Sequence, residues 1–251
     1  MNPRRLKRGL GAAILAASIL GTPVLPAIAQ AAAAIAPAAA GFAGVWARQE
    51  GFEHPDPRKI LPFLTPDAAA TFEKSIKAND FRVPWSFCDP PAMPAMLTEY
   101  PGGLEFLFTP GRVTMTAEDG SVRRIYLDGR PHRKDAAGTY FGDSIGHWEG
   151  RTLVIDTTAL RDDNDIVIGY PNGSENMHVV ERYHLVNPDL LQLDLTVTDV
   201  PTLQKPYVRT QLYKRRASGL MNEQLCVASK NRDTGSELNL TPPPQQQRTQ
   251  P

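Results

Sequence analysis

The stretch GDSIGHWEGRTLVID, residues 142–156, contains residue types that acid–base chemistry uses. In an extended strand the side chains alternate between two faces, so Asp143 and His147 lie on the same face. A histidine gains or loses a proton near neutral pH, and a neighbouring carboxylate can orient its ring. The stretch therefore predicts an acid–base pair if this face points into the protein, and two solvated side chains if it points outward.

A second group of polar residues occurs in MHVVERYH, residues 177–184. The same alternation places His178 and Arg182 on one face of a strand. If that face is internal, the two side chains form a cationic pocket that suits a carboxylate, because arginine binds carboxylates through paired hydrogen bonds. The alternative is a cross-strand ladder in which Glu181 pairs with an arginine of a neighbouring strand.

Further candidates for ligand contact lie near the first stretch. Arg130 and His132 belong to DGRPH, a loop that follows a predicted strand, and could lie at the mouth of a barrel. The alternative is a turn with solvated charges. Tyr140 and Trp148 are the aromatic candidates. No metal is expected, because the histidines lack the paired spacing of zinc ligands and the acidic run at 162–165 lacks the spacing of a calcium loop.

Short β-strands are the elements that must position these residues. From residue 101 onward, alternating runs are separated by turn signals such as Glu-Asp-Gly at 118–120 and Asn-Pro-Asp at 187–189. Eight or nine such strands with almost no helix between them predict an all-β fold, an antiparallel meander closed as a lipocalin-like barrel. Closure removes exposed strand edges, and it makes the barrel interior the expected ligand cavity.

The region before these strands is rich in proline and contains one short helix, predicted over residues 65–79. Thr65 is a suitable N-cap, and Pro66 suits the first helical position. The prolines in and around residues 85–96 exclude a central strand or helix, so a long covering loop is expected there. The first strand is expected at Gly-Val-Trp, residues 44–46.

The two ends of the chain have a different composition. A basic start, an apolar run and a small-residue site predict a cleaved signal peptide over residues 1–29, and the apolar run is too short for a stable membrane span. Residues 30–41 are expected to form a disordered Ala/Pro leader, and residues 233–251 a disordered tail. One β-barrel domain over residues 42–232 remains, and the protein is expected in the periplasm or secreted.

Charge and cysteine content narrow the possible partners. Lys plus Arg total 27 and Asp plus Glu total 27, with no basic stripe, which argues against nucleic acid as the main partner. Export would place Cys88 and Cys226 in an oxidising compartment, where a pair of cysteines usually forms a disulfide. Such a bridge would join the first ordered segment to the last, and the chain-entropy model gives long loops of this kind about 4–5 kcal/mol.

Three motifs carry a resemblance to a known family. GDSIGHWEGRTLVIDT at 142–157, IYLDGR at 125–130 and HVVERY at 178–183 resemble the signature of a family of secreted bacterial proteins of mostly unassigned function. The resemblance covers approximately residues 101–206, and Arg151 departs from the Asp that is usual in the family. The Gly-x-Trp start is weakly similar to that of lipocalins and other calycin barrels.

Together these features predict an exported small-molecule-binding β-barrel. The first hypothesis is a cofactor-independent lyase or isomerase that acts by proton transfer or decarboxylation on an organic or aromatic acid. The alternative is a non-catalytic periplasmic carrier that uses the same cavity. Convergence of the acid–base residues inside one cavity would favour the enzyme, and scatter over the outer wall would contradict it. The catalytic candidates are His147, Asp143 and His178; the substrate-binding candidates are Arg182, Arg130, Tyr140 and Trp148.

Overall fold

The computed structural model describes residues 39–49, 56–78, 89–167 and 172–223. The predicted signal peptide, nearly all of the predicted leader and the predicted tail lie outside the described residues. Cys88 and Cys226 also lie outside them, so the disulfide stays a prediction.

Nine strands form a closed barrel in which each strand pairs with its neighbours in chain order and the last pairs with the first. This confirms the predicted fold class. The strands are β1 Gly44–Arg48, β2 Leu104–Thr109, β3 Arg112–Ala117, β4 Val122–Tyr126, β5 Asp143–Glu149, β6 Thr152–Thr158, β7 His178–Asn187, β8 Leu190–Thr198 and β9 Tyr207–Arg215.

One strand pair differs from the predicted antiparallel meander. β4 and β5 run parallel, through the pairs Ile125↔Ser144 and Tyr126↔Ile145. Parallel neighbours need a long connection that returns the chain to its starting end, whereas antiparallel neighbours need only a tight turn. Residues 127–142, which we call the crossover segment, make this connection.

The predicted helix is present as α1, Pro66–Ala78. The Thr65 hydroxyl oxygen accepts a hydrogen bond from the Ala68 backbone N–H at 3.4 Å, as expected of an N-cap. Phe72 is fully buried and anchors the helix. A 3-10 helix precedes α1, at Pro57–Phe63. In the described parts of the chain, no helix has the length and apolar character needed to cross a bilayer.

The barrel interior is a packed core in the part that the structure describes, not the open ligand cavity that was expected. Inward side chains of β3, β6, β7 and β8 are almost fully buried, among them Met115, Ile155, Tyr183 and Leu193. They belong to one hydrophobic cluster. About eight strands leave just enough room inside a barrel for side chains, and here side chains use that room.

Two segments close the ends of the barrel. Residues 91–100, which include the short helix α2, Ala95–Thr98, are all buried, so this part of the predicted covering loop packs into the protein. Inward side chains hold it, since Arg48 donates to the Glu99 carbonyl at 3.0 Å and the Tyr213 hydroxyl donates to the Leu97 carbonyl. At the opposite end, the helical turn of residues 39–42 covers the core.

Gly44-Val45-Trp46 forms the start of β1, as predicted. Contacts of Trp46 hold the helical turn of residues 39–42 over this end of the barrel. The Trp46 indole N–H donates to the Phe42 carbonyl at 2.9 Å. The Arg215 guanidinium lies 4.1 Å from the centre of the Trp46 ring system and donates to the carbonyls of Gly41 and Ala43 at 2.7 and 2.8 Å. One cation therefore ties the last strand to the first strand and to the turn before it.

Candidate functional site

The sequence left the orientation of β5 open, and the structure has Asp143 and His147 on the outer face. Ser144, Gly146 and Trp148 point inward instead. Trp148 packs edge-on against Phe42, with ring centroids 5.1 Å apart. Trp148 is thus part of the core and not a ligand contact on an open cavity.

His147 and Arg182 meet on the outer wall, on either side of Glu149. His147 Nε2 lies 3.2 Å from Glu149 Oε1, and Arg182 Nη2 donates to Glu149 Oε2 at 2.6 Å. The bond from Arg182, followed by that from His147, lowers the pKa of the Glu149 carboxyl. The His147 side chain is 63% exposed, so this group is a solvated ion-pair cluster.

Arg130 and Tyr140 do not join a common binding site either. Arg130 donates to Asp128 and lies 3.9 Å over the ring of Tyr126, on the surface. The Tyr140 ring contacts the Arg161 guanidinium at 4.6 Å. The predicted convergence of these residues inside one cavity is therefore wrong, because the side chains lie on the outer wall or in the core. This outcome contradicts an enzyme with an internal active site and leaves only a group on the outer wall as a candidate for acid–base chemistry.

Two of the predicted catalytic residues do come together, with two partners that the prediction had not placed among the catalytic residues. His132 Nδ1 lies 3.1 Å from Asp143 Oδ2, and His132 Nε2 lies 2.9 Å from Asp156 Oδ1. His178 Nε2 lies 2.8 Å from the same Asp156 oxygen. We call His132, Asp143, Asp156 and His178 the imidazole–carboxylate cluster.

Four separate elements position this cluster. Asp143 begins β5, Asp156 lies on β6 and His178 begins β7, and all three point outward from adjacent strands. The crossover segment supplies His132 and lays it over the wall. The β5–β6 hairpin sets Ile145 opposite Asp156, so Asp156 shares the outer face with Asp143 and His147. Asp156 is the last residue of the stretch 142–156, and the turn between the two strands was the signal that could have placed it on the same face as Asp143.

Asp143 anchors the crossover segment to the wall. Its carboxylate accepts hydrogen bonds from the Arg133 backbone N–H at 3.0 Å and from Arg133 Nε at 2.9 Å, besides its contact with His132. Burial disfavours the charged form of Asp143, but the bonds from Arg133 and His132 outweigh it and hold the pKa of this carboxyl below its ordinary value.

Asp143→Asn is expected to make the protein less stable at pH 7 by about 1–3 kcal/mol, because hydrogen bonds to a charged, buried acceptor are weakened. The folded pKa is lower than the unfolded one, so this stability is present above pH ~4 and is lost as the pH falls through the folded pKa. Urea unfolding at a series of pH values measures the effect. The difference between wild type and variant should shrink below pH ~4.

Asp135→Asn is the control, because Asp135 lies on the same crossover segment and is exposed. An equal loss of stability in both variants at pH 7 would contradict the anchoring role of Asp143.

A second polar network lies inside the barrel. Arg123 on β4 and Glu181 on β7 are fully buried and joined by two hydrogen bonds, of 2.5 and 2.9 Å, across the interior. Arg123 also donates to Ser144 at 3.1 Å and to Thr157 at 2.8 Å. Burial alone would lower the pKa of Arg123, but the charge of Glu181 outweighs it and raises that pKa.

The sequence had suggested a neighbouring strand for the partner of Glu181. The partner is instead Arg123, which lies on a strand that does not pair with β7. The Tyr183 hydroxyl donates to Glu181 at 3.0 Å, and burial raises the pKa of this phenol well above its ordinary value. The network is closed to solvent, and its charged groups form their hydrogen bonds with one another and with neighbouring hydroxyl groups. This arrangement suits a structural role.

In the described parts of the chain, no three His, Cys, Asp or Glu side chains are arranged to hold a metal ion. The imidazole–carboxylate cluster brings two imidazoles within hydrogen-bond distance of two carboxylates, and such groups can exchange protons and form ion pairs. No protein-family model and no curated protein sequence matches this chain, so the geometry carries the functional argument.

Proposed function

We propose that this β-barrel is an exported, cofactor-independent enzyme of the lyase or isomerase type, which transfers a proton on a small organic acid at the imidazole–carboxylate cluster. The observation that carries the proposal is the 2.8 Å contact between His178 Nε2 and Asp156 Oδ1. When a neutral imidazole donates its N–H to a carboxylate, the other ring nitrogen carries the free lone pair. A general base has this arrangement, because that lone pair can accept a proton.

The surroundings of His178 suit this role. Its side chain is 38% exposed, so a small molecule can reach it, and Nδ1 has no hydrogen-bond partner among the described residues. Arg133 supplies a cation at the same cluster. It uses Nε for Asp143 and leaves its terminal nitrogens without a partner in the described chain, which suits the carboxylate of a substrate.

The proposed step is enolisation of an oxo acid. His178 Nδ1 takes a proton from the carbon next to the carbonyl group, the C–H bond breaks, and its electron pair forms the enolate. The proton then passes from His178 to the enolate oxygen, which gives the enol isomer, or back to carbon, which in D₂O is seen as exchange. The predicted signal peptide supports export, because it would deliver the barrel to the periplasm or the medium.

The test follows exchange of carbon-bound hydrogen in D₂O, which needs no knowledge of the product. Phenylpyruvate, pyruvate and oxaloacetate are incubated with the protein, and loss of the proton signal next to the carbonyl is measured by NMR. Wild type is expected to accelerate exchange of at least one acid. His178→Gln is expected to reduce the protein-catalysed rate by about 100-fold or more, as for removal of a general base.

His147→Gln is the matched control, because His147 is also exposed and paired with a carboxylate but lies outside the cluster. It should keep the wild-type rate. Equal rates in wild type and His178→Gln, or no exchange with any of the three acids, would contradict the proposal.

The second candidate function is a carrier without chemistry. It is favoured by the 38% exposure of the His178 side chain, because proton abstraction from carbon is usually carried out in a site that excludes water. A carrier would bind organic acids saturably while the exchange rate stayed at the level of buffer.

A further inference from the structure

A pocket of about 300 Å³ lies at the barrel end that residues 91–100 close. Its walls come from the 3-10 helix Pro57–Phe63, the start of β9, and the loop residues Glu99 and Val167. None of the residues of the imidazole–carboxylate cluster contributes to it. The volume is at the lower limit of sites that bind small molecules, so it suits a ligand with one ring.

The apolar part of the pocket is aromatic on one side. Phe63 and Tyr207 meet edge to face, with ring centroids 5.2 Å apart. Ile60 and Val167 are almost fully buried and form the adjoining wall. Burial raises the pKa of the Tyr207 phenol, so this side chain stays neutral at physiological pH. An aromatic ring would find both ring contacts and aliphatic contacts here.

Among the described residues, the charged side chains around the pocket form ion pairs with one exception, a lysine. Arg209 is paired with Glu99 at 3.0 Å, so these two charges balance each other. Asp56 accepts from the Arg58 backbone N–H at 2.9 Å and lies within ion-pair distance of its guanidinium. Lys59 also lines the pocket and has no ion-pair partner among the described residues.

We propose that this pocket binds a small aromatic carboxylate, with its ring packed against Phe63, Tyr207 and Ile60 and its carboxylate on Lys59. The site is separate from the proposed catalytic cluster, and it requires neither His178 nor any proton transfer. The mixture of apolar walls and one uncompensated cation selects a ligand that is itself apolar at one end and anionic at the other.

The experiment measures binding of phenylacetate to the full chain by NMR titration and compares it with phenylacetamide, which has the same ring and no charge. Phenylacetate is expected to bind saturably and at least 5-fold more tightly than the amide, because only the acid contacts Lys59 electrostatically. Lys59→Gln is expected to remove this preference. Val208→Trp, a substitution at the exposed rim, is expected to weaken binding of both compounds by filling the pocket.

Lys205→Gln is the matched control. The Lys205 ammonium lies 4.9 Å from the Phe63 ring, yet Lys205 does not line the pocket. This variant should bind phenylacetate like the wild type. Equal affinity for the acid and the amide, unchanged binding in Lys59→Gln, or no saturable binding of phenylacetate would each overturn the proposal. The exchange assay with His178→Gln gives its result independently, so failure of one proposal is not failure of the other.

Discussion

Arg123→Met is expected to lower the free energy of unfolding by about 3–5 kcal/mol, as is usual when one partner of a buried ion pair is removed. Glu181 would be left without its cation at a site with no exposed surface. It would keep the Tyr183 hydroxyl but lose both of its bonds from the guanidinium. Ser144 and Thr157 would lose a donor at the same time. Urea unfolding at pH 7 measures the effect.

The double variant Arg123→Met, Glu181→Leu separates the ion pair from simple loss of packing. It is expected to recover part of the stability that the single variant loses, because replacing a whole buried pair by apolar side chains is often nearly neutral. Arg124→Met is the control on the next position of the same strand, where the side chain faces solvent. A double variant that is less stable than Arg123→Met would show that the loss of stability in the single variant does not come from leaving Glu181 without its cation.

Gly142→Ala is expected to destabilise the fold by about 2–5 kcal/mol, combining the cost of a left-handed backbone with that of overpacking. Gly142 has a φ of +69°, and a Cβ atom there would lie 2.5 Å from the Thr158 carbonyl oxygen and 2.6 Å from the Thr157 methyl group. Because Asp143 follows directly, the same variant is expected to shift the imidazole–carboxylate cluster. Thermal unfolding measures the loss.

Gly150→Ala provides the matched comparison, since Gly150 has a similar φ of +60° but a Cβ atom added there would meet no described atom within 4 Å. Only the backbone cost of about 1–2 kcal/mol should remain there. Equal losses of stability in the two variants would mean that the contact of the added Cβ atom with β6 costs nothing. Backbone conformation alone would then explain both losses.

The hairpins of this barrel could be predicted because their signals are local. The turn at Gly150 joins two strands whose alternation is visible on both sides, and the structure confirms β5 and β6. The N-cap and proline at residues 65–66 likewise located α1. The parallel β4–β5 pair was missed, because the crossover segment has no strand pattern that shows in which direction it returns.

The internal or external orientation of β5 and β7 could not be predicted from their own residues. The inward set on β7 includes Glu181 between Val179 and Tyr183, and the inward set on β5 includes only Trp148 as a large apolar residue. Each strand therefore offers two faces of mixed polarity. The choice depends on Arg123, which neutralises Glu181 from a strand that is remote in sequence.

Local sequence thus determined which residues share a face and where the turns lie, since these properties depend on neighbours along the chain. The number of strands favoured closure, because a closed barrel has no exposed edges. The tertiary structure decided what each face meets. His132 reaches Asp143 and Asp156 only because the crossover segment returns over the outer wall, and His178 joins them only because β7 pairs with β6. Contacts between four elements depend on how the whole barrel closes, which no single stretch of the chain contains.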